Sequence, residues 1–492
     1  MKRLITFLLT AAISLLLANP PEIVKFDEEY DLGGLGGNFI LDMVSTKQDP
    51  TELYLATGSG ISVAVGTNDP NLNNIAFLNR YVGHGGLSAL SFSHDGQKLW
   101  ATTAADTFIT ENGLNEFLQK GTGVHLSTDY GKSWKHFPQP GKTAIQGLTY
   151  DIACDSLGQL WLASFGQSLQ VSPAGINQGN SWQVIIPESL KIGQMAKNWS
   201  PVQKPAHRLF AVHYTPSGKL WLGTAKGIFL SNQVHSLADT ASYWTWQNSQ
   251  YGAGRLTGNF VTSIQSDTTR GKERVWAATW SAGSASEKDG ICMTSDNGKT
   301  WRRFLEGEKV YNFGFMNGRV FACAESGLWM ADSNYVFEKY KLRVYSPMRQ
   351  GYVEDEITKV YSFYYHGGKM WIGTGKGLLV SKDLGNTFTY FEAYQPEREK
   401  VYSYPNPFSP ARFGNAKLYF AMQEPGNVNC TIYNFAMEKV CDVVKNASYT
   451  QGDHYLLWNG RDSYNNVAAN GVYFFVIKKN GKELWNKILL FD

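Results

Sequence analysis

Long apolar runs are nearly absent from these 492 residues. The one that exists, residues 4–17, follows the basic pair Lys2-Arg3 and falls short of the roughly 20 apolar residues that a helical membrane span requires. With the small residue Ala18 behind it, the run predicts a secretory signal peptide over residues 1–18, although Leu16 departs from the small-x-small pattern of a cleavage point. No Cys follows Ala18, which argues against a lipoprotein anchor. Cysteine is scarce as well: Cys154, Cys292, Cys323, Cys430 and Cys441 are odd in number and form no C-x-x-C pair, so neither a zinc site nor a disulfide scaffold is indicated. Cys154 and Cys323 fall inside apolar strand patterns, where a thiol packs as a small hydrophobe. Net charge is low, +3 for the whole chain and +1 once Lys2 and Arg3 leave with the signal. A nearly neutral chain exerts no electrostatic pull on nucleic acid or anionic lipid. The nine His are scattered, and there is no phosphate loop and no Ser nucleophile elbow, so neither metal nor cofactor is expected.

Gly and aromatic residues are plentiful, with 49 Gly and 14% Phe, Trp and Tyr, which suits short strands joined by tight turns. One stretch organises the chain: Gly218-Lys219-Leu220-Trp221-Leu222-Gly223-Thr224-Ala225-Lys226-Gly227-Ile228-Phe229-Leu230-Ser231. It is nearly copied around Trp371, and weaker versions surround Tyr54, Trp100, Trp161, Trp276 and Phe321. Seven copies at spacings of 45 to 61 residues are too far apart for a solenoid and fit blades of four antiparallel strands. The fold class expected is all-β: a seven-bladed β-propeller over residues 22–395, followed by a small β-sandwich. In the clearest unit the four strands are predicted at 209–214, 220–224, 228–231 and 243–247; in the last, at 360–365, 370–374, 378–381 and 387–391. The recurrent aromatic sits in the second strand, where it packs one blade on the next, and the small residue before Thr leaves room for that neighbour.

Three units carry a sharper signature between their third and fourth strands: Ser127-Thr128-Asp129-Tyr130-Gly131-Lys132-Ser133-Trp134, Ser295-Asp296-Asn297-Gly298-Lys299-Thr300-Trp301, and Ser381-Lys382-Asp383-Leu384-Gly385-Asn386-Thr387-Phe388. The middle copy is one residue short unless Thr294 serves as its first polar position. These stretches resemble the Asp-box, or BNR repeat, of sialidase-like propellers. Asp accepts backbone N–H bonds in the turn, Gly supplies a positive φ, and Trp or Phe opens the fourth strand as a buried wedge. These residues therefore have a structural role, and a catalytic reading of the three carboxylates is the weaker one. The Leu-Trp-x-Gly-Thr…Gly-Leu pattern also resembles the propeller repeats of bacterial two-component sensors.

Composition changes at residues 392–399, and Tyr404-Pro405-Asn406-Pro407-Phe408-Ser409-Pro410 follows. Residues 401–492 are expected to form the sandwich, with strands at 417–421, 428–433, 439–444, 455–458, 471–478 and 487–491. Their ordered landmarks, the Tyr-Pro-Asn-Pro-Phe stretch, Ile432-Tyr433-Asn434, Trp458-Asn459-Gly460-Arg461-Asp462 and Asn470-Gly471-Val472-Tyr473-Phe474, resemble the immunoglobulin-like domain of flagellar hook-capping proteins. The same domain closes many secreted proteins as a type IX secretion sorting domain, and the resemblance implies that machinery as a partner and delivery outside the cell or to the outer-membrane surface. Where that family commonly has Gly, this chain has Met437 and Asn466; Asn tolerates a positive φ, Met poorly. A hairpin centred between Phe435 and Ala436 would set Cys430 opposite Cys441 and make a cross-strand disulfide geometrically possible; two buried thiols are the preferred reading, because such bridges strain a flat pair.

In an up-and-down blade, loops joining strands two to three and four to one share one end, and the Asp-box turns share the other. The long insertions, residues 103–121, 187–207, 248–259, 280–289 and 345–358, all belong to the first kind and define the expected binding face. Trp199, Tyr251, Trp280 and Tyr352 there are types that stack on sugars or anchor a protein, and His207, Arg208 and Arg255 are types that hold an anion. Glu111, Glu116, Glu287, Asp289, Glu354 and Asp355 supply carboxylates, of which glycoside hydrolysis would need two at a set separation. A sialidase would show a Phe/Tyr-Arg-Ile-Pro motif, and none occurs; Asp-box glucanases use two propellers, and one is expected here. The sequence thus points to an exported bacterial binding or scaffold protein with a glycan or surface-protein ligand. The competing reading is a glycan-active enzyme, hydrolase or lyase, with its centre on the long-loop face.

Overall fold

A computed structural model describes residues 22–25, 34–46, 48–58, 60–80, 82–83, 85–111, 114–139, 147–166, 168–172, 182–185, 204–231, 244–249, 255–342, 344–346, 351–353, 359–393, 401–422, 425–449, 452–479 and 481–491. The signal-peptide stretch, Trp199, Tyr251, Glu354 and Asp355 lie outside them. The chain divides into two compact units, Met1–Tyr394 and Gln395–Asp492.

The first unit is built from sheets in which four strands pair antiparallel in chain order; in one of them Glu22–Lys25 adds antiparallel to the outer strand Ser133–Phe137. The unit around Trp221 is representative: Leu209–Tyr214, Leu220–Thr224, Gly227–Ser231 and Trp244–Gln247 pair in succession. The first strands of the successive sheets, Ile40–Val44, Gly86–Phe92, Thr149–Cys154, Leu209–Tyr214, Phe260–Asp267, Val310–Met316 and Val360–His366, neighbour one another in chain order, and the last of them lies against the first. That contact closes a ring. A parallel bridge between Leu35 and Ala393 and the bond from the Ala393 N–H to Asn38 fasten its two ends.

Each recurrent aromatic is buried and joins its own sheet to the next. Trp221 packs among Val261, Ile264 and Ala277, Trp371 among Ile40, Leu53 and Leu55, and Phe321 against Val360 and Phe363. Close approach makes the small residue obligatory: a Cβ on Gly223 would stand 2.7 Å from the Val261 carbonyl oxygen, and one on Gly373 2.7 Å from that of Ile40.

Two of the insertions expected as loops are paired strands. Leu99–Glu111 and Leu114–Ser127 stay in register to Glu111 opposite Leu114, so residues 103–121 are mostly a hairpin that extends its sheet, and Glu111 and Glu116 lie on its backbone. Val344–Ser346 and Gly351–Val353, the latter containing Tyr352, form a second hairpin, which adds in parallel to Phe388–Phe391. Regular alternation and β-branched content were too weak in both stretches to announce strands.

In the second unit, Tyr402–Tyr404, Ala416–Met422 and Gly452–Trp458 form one sheet, and Lys439–Tyr449, Gly426–Tyr433, Gly471–Lys479 and Lys482–Leu490 the other. Phe408, Leu418, Cys430, Ile432, Trp458 and Phe475 are part of one core. The direct Cys430–Cys441 pairing does not occur. Register shifts place Ile432 opposite Cys441 and Cys430 opposite Val444, and both thiols are free and buried. Met437 does take the positive φ of a turn, at 64°, whereas in the other turn it is Asn465, not Asn466, that does so, at 66°.

Candidate functional site: an aromatic arc and a polar channel

Each of the first strands named above carries the same irregularity near its start. Pairing skips one residue between Ile40 and Asp42, Leu87 and Ala89, Thr149 and Asp151, Leu209 and Ala211, Val261 and Ser263, Val310 and Asn312, and Val360 and Ser362. A bulge bends the strand and re-aims the extra side chain. Four of the extra residues are aromatic, Tyr150, Phe210, Tyr311 and Tyr361, and Phe39 and Phe260 lie one or two positions before their own bulges. These rings meet in series: Phe39 and Tyr361 at 4.4 Å between centroids, Tyr361 and Tyr311 at 4.9 Å, Tyr311 and Trp280 at 5.8 Å, Trp280 and Phe260 at 6.4 Å, Phe260 and Phe210 at 4.2 Å, and Phe210 and Tyr150 at 5.3 Å. They make an arc around the mouth of the ring at the end where second strands finish and first strands begin. The remaining first strand, Gly86–Phe92, has Leu87 and Ser88 at this level, and it is the strand whose sheet carries the long hairpin. Phe39 and Tyr150 are the most open members, 39% and 42% exposed.

Of the residues expected on this face, Trp280 belongs to the arc. Its indole N–H donates to the Val310 carbonyl at 3.0 Å, its ring stacks on Phe260, and the Lys309 ammonium stands 5.5 Å from its centroid. Arg208 holds its guanidinium 5.8 Å from the Phe165 ring, and Arg255 is exposed. His207 does not present itself to a ligand: it closes the short turn Pro205–His207 and is 1% exposed, because the turn folds its ring inward. The carboxylates Glu287 and Asp289 brace their own loop. Glu287 accepts from the Ala282 N–H at 2.6 Å and from the Asn259 side chain, and Asp289 accepts from the Ser281 N–H at 2.8 Å.

The three Asp-Gly turns repeat one network. Asp129 accepts from the Ser133 N–H and hydroxyl and from the Ser127 hydroxyl, Asp296 from the corresponding groups of Thr300 and Thr294, and Asp383 from those of Thr387 and Ser381. Thr294, rather than Ser295, is thus the first polar residue of the middle copy. Gly131, Gly298 and Gly385 have φ of 89°, 76° and 91°, and Trp134, Trp301 and Phe388 are buried. Hydrogen bonds to the charged form hold all three carboxyls below their ordinary range against the opposing effect of burial.

Beyond the bulges the first strands enclose a cavity of about 490 Å³, to which every one of them contributes. Its wall includes Asp42, Asp151, His213, Asn312 and Tyr364. Burial pushes Asp42 up to about 7, against the effect of the Met43 N–H. Burial also pushes Asp151 up to about 8; the Val212 N–H opposes this and the charge of Asp42 adds to it. Burial lowers His213 to about 4, so its imidazole is neutral at pH 7; Nε2 lies 2.8 Å from the Ser266 hydroxyl. Several of these groups tie neighbouring sheets: Asp151 accepts from the Val212 N–H, Ser263 donates to Asn312, and Tyr364 bonds the Ser45 hydroxyl. Among the described residues no three His, Cys, Asp or Glu gather as a metal site.

Neither the arc nor the acids of the channel emerged from the sequence. The available signal was a recurrence just ahead of the Trp repeat: an aromatic within two residues of the first strand's start, as in Thr149-Tyr150-Asp151 and Val310-Tyr311-Asn312.

Comparison with solved structures places this ring. The chain matches, over 95% of its length, 69% of the xyloglucanase of glycoside hydrolase family 74 from Xanthomonas campestris, with a TM-score of 0.50 and 11% identity. The first unit is a β-propeller. Propellers also match at lower TM-scores: PorZ, a bacterial surface component of the type IX secretion system of Porphyromonas gingivalis, at 0.42 with 16% identity over 92% of this chain and 66% of that one, and YCF48 from Cyanidioschyzon merolae at 0.43 with 13% identity over 76% and 99%. No family model and no curated protein matches the sequence. At these identities the likeness shows the fold alone.

Proposed function

We propose that the chain is an exported bacterial protein in which a seven-bladed propeller with Asp-box turns acts as a binding or scaffold module and an immunoglobulin-like C-terminal domain of the type IX sorting kind directs it to the cell surface. The observation that carries the binding role is the aromatic arc. Tyr150, Phe210, Tyr311 and Tyr361 are set in place by bulges in four separate strands, and a packing role does not require rings at one level in one circle. Such a rim, with Arg208 and Lys309 beside it, suits a glycan, stacked ring on ring, or a surface protein anchored by its own apolar side chains. The described loop carboxylates of this face, Glu287 and Asp289, are engaged by backbone amides, which favours binding over hydrolysis.

A glycan array combined with a polysaccharide panel separates the readings: binding without release of sugar, weakened at least tenfold by Tyr150→Ala with Tyr361→Ala, is expected. Released sugar would establish the glycan-active enzyme instead. The sorting role has its own test. Deleting residues 401–492 should strand the propeller in the periplasm, and normal surface delivery of the truncated chain would overturn it.

A further inference from the structure

The sheet that carries the long hairpin also carries a pair of histidines outside the aromatic rim. His125 lies in Leu114–Ser127 and His136 in Ser133–Phe137, and the ladder sets the two directly opposite one another. Their Nδ1 atoms approach to 3.4 Å, with the ring planes 42° apart. A good hydrogen bond from a ring N–H spans about 2.7 to 3.2 Å, so a mutual bond makes poor use of this separation. It is the separation of two ligands on one tetrahedral ion: at a Zn–N length of about 2.0 to 2.1 Å, the two nitrogens stand about 3.4 Å apart. Adjacent corners of a square-planar ion at the same bond length are about 2.9 Å apart, so the bite fits Zn²⁺ better than Cu²⁺.

Both rings are held as ligand rings are held. His125 is fully buried, and its outer nitrogen, Nε2, lies 2.8 Å from the Thr103 hydroxyl, which in turn lies 2.7 Å from that of Thr122. Donation of an Nε2–H to Thr103 puts the lone pair on Nδ1, on the side of His136, as the outer hydrogen bond of a metal-bound histidine does. Trp134 meets the His125 ring edge to face at 6.4 Å and fixes its tilt. His136 is half-buried, which gives an ion a way in from solvent. Gly123 leaves room for its ring, since a Cβ there would stand 2.8 Å from Nδ1 of His136. The charges nearby suit a cation. Register sets Glu22 opposite His136 on the far side of the pair, and Lys135 places its ammonium over the Phe137 ring.

We propose that His125 and His136 bind a Zn²⁺ ion through their Nδ1 atoms, with Thr103 as a positioning residue. Among the described residues no third His, Cys, Asp or Glu joins them, so the protein holds two corners of the ion and water takes the others. The histidines are 11 positions apart on different strands and match no metal motif; only the pairing of the strands brings them together.

Calorimetry on the full chain stripped with EDTA tests this, with ZnCl₂ as titrant and MgCl₂ as reference. Expected are saturable Zn²⁺ binding and no Mg²⁺ binding. Zn²⁺ should also raise the melting temperature of the unmodified chain, and crystals grown with ZnCl₂ should show an anomalous peak at the zinc edge between the two Nδ1 atoms; both readings stand even if a variant misfolds. His136→Ala should bind at least tenfold more weakly. Thr103→Val should lose at least threefold, and Thr103→Ser should restore the affinity, because it keeps the acceptor for Nε2–H. Absence of Zn²⁺ binding, Mg²⁺ binding of equal strength, no zinc peak at the pair, or full affinity in a folded His136→Ala would each overturn the proposal. Unchanged affinity in Thr103→Val would overturn the role given to Thr103.

Discussion

At the scale of single residues, polar side chains in this protein act chiefly as staples. Asp296 shows the pattern: burial would raise its pKa, but bonds from the Thr300 hydroxyl and N–H and from the Thr294 hydroxyl outweigh it and pull the carboxyl down to about 2. Because the folded value lies below that of the unfolded chain, the stabilisation is complete above about pH 4 and disappears as pH falls towards 2. Asp296→Ala should cost roughly 1 kcal/mol at neutral pH, a figure kept low because the carboxylate faces solvent. Thermal melts at pH 7, 4 and 2 should show the gap between variant and parent close at the lowest pH. Asp42 has the opposite sign. Its folded pKa is raised, so its contribution is favourable below about pH 4 and is lost as pH rises through 7. Asp42→Asn should therefore melt higher than the parent at pH 8 and close to it at pH 4.

At the scale of elements, register decides what side chains meet. In the hairpin of Gly426–Tyr433 with Lys439–Tyr449, three register shifts carry Cys430 past Cys441. Sequence counting places the two cysteines face to face if the ladder is regular, and bulges are invisible to such counting. Both thiols should stay reduced in the folded protein. Burial pushes Cys441 up to about 11 and Cys430 higher still, so neither should react with a thiol reagent at pH 7.5 until the domain is unfolded. Alkylation before and after denaturation, followed by mass spectrometry, checks this; a native disulfide would contradict it. The bulges of the propeller work the same way, turning one residue per first strand, and with it Tyr150, Phe210, Tyr311 and Tyr361, towards the mouth.

For the molecule as a whole, Trp221 and its counterparts hold sheet to sheet, and the aromatic rim at the mouth of the ring is where binding is proposed. The two compact units have separate cores. Calorimetric unfolding should show two transitions, and removing residues 401–492 should abolish one of them while shifting the other by no more than about 3 °C; a single transition lost altogether on truncation would contradict separate folding.

Local patterns by themselves determined the strands of the propeller's clearest repeats, though not its two inserted hairpins. Alternation of apolar residues, Gly at turns and a buried Trp are properties of short stretches, so Leu209–Tyr214, Leu220–Thr224 and Leu378–Ser381 were legible residue for residue. Only the tertiary structure decided the site. Phe39 and Tyr361 are 322 positions apart in sequence and their rings meet because the ring closes on itself, and the same closure brings Asp42 and Asp151, 109 positions apart, into one channel wall. Whether an acid at the start of a strand meets solvent, a backbone amide or an enclosed cavity depends on which strands stand across from it, and that information is not local. The short turn Pro205–His207 folds His207 inward, whereas closure of the ring puts Asp42 in the wall of a channel.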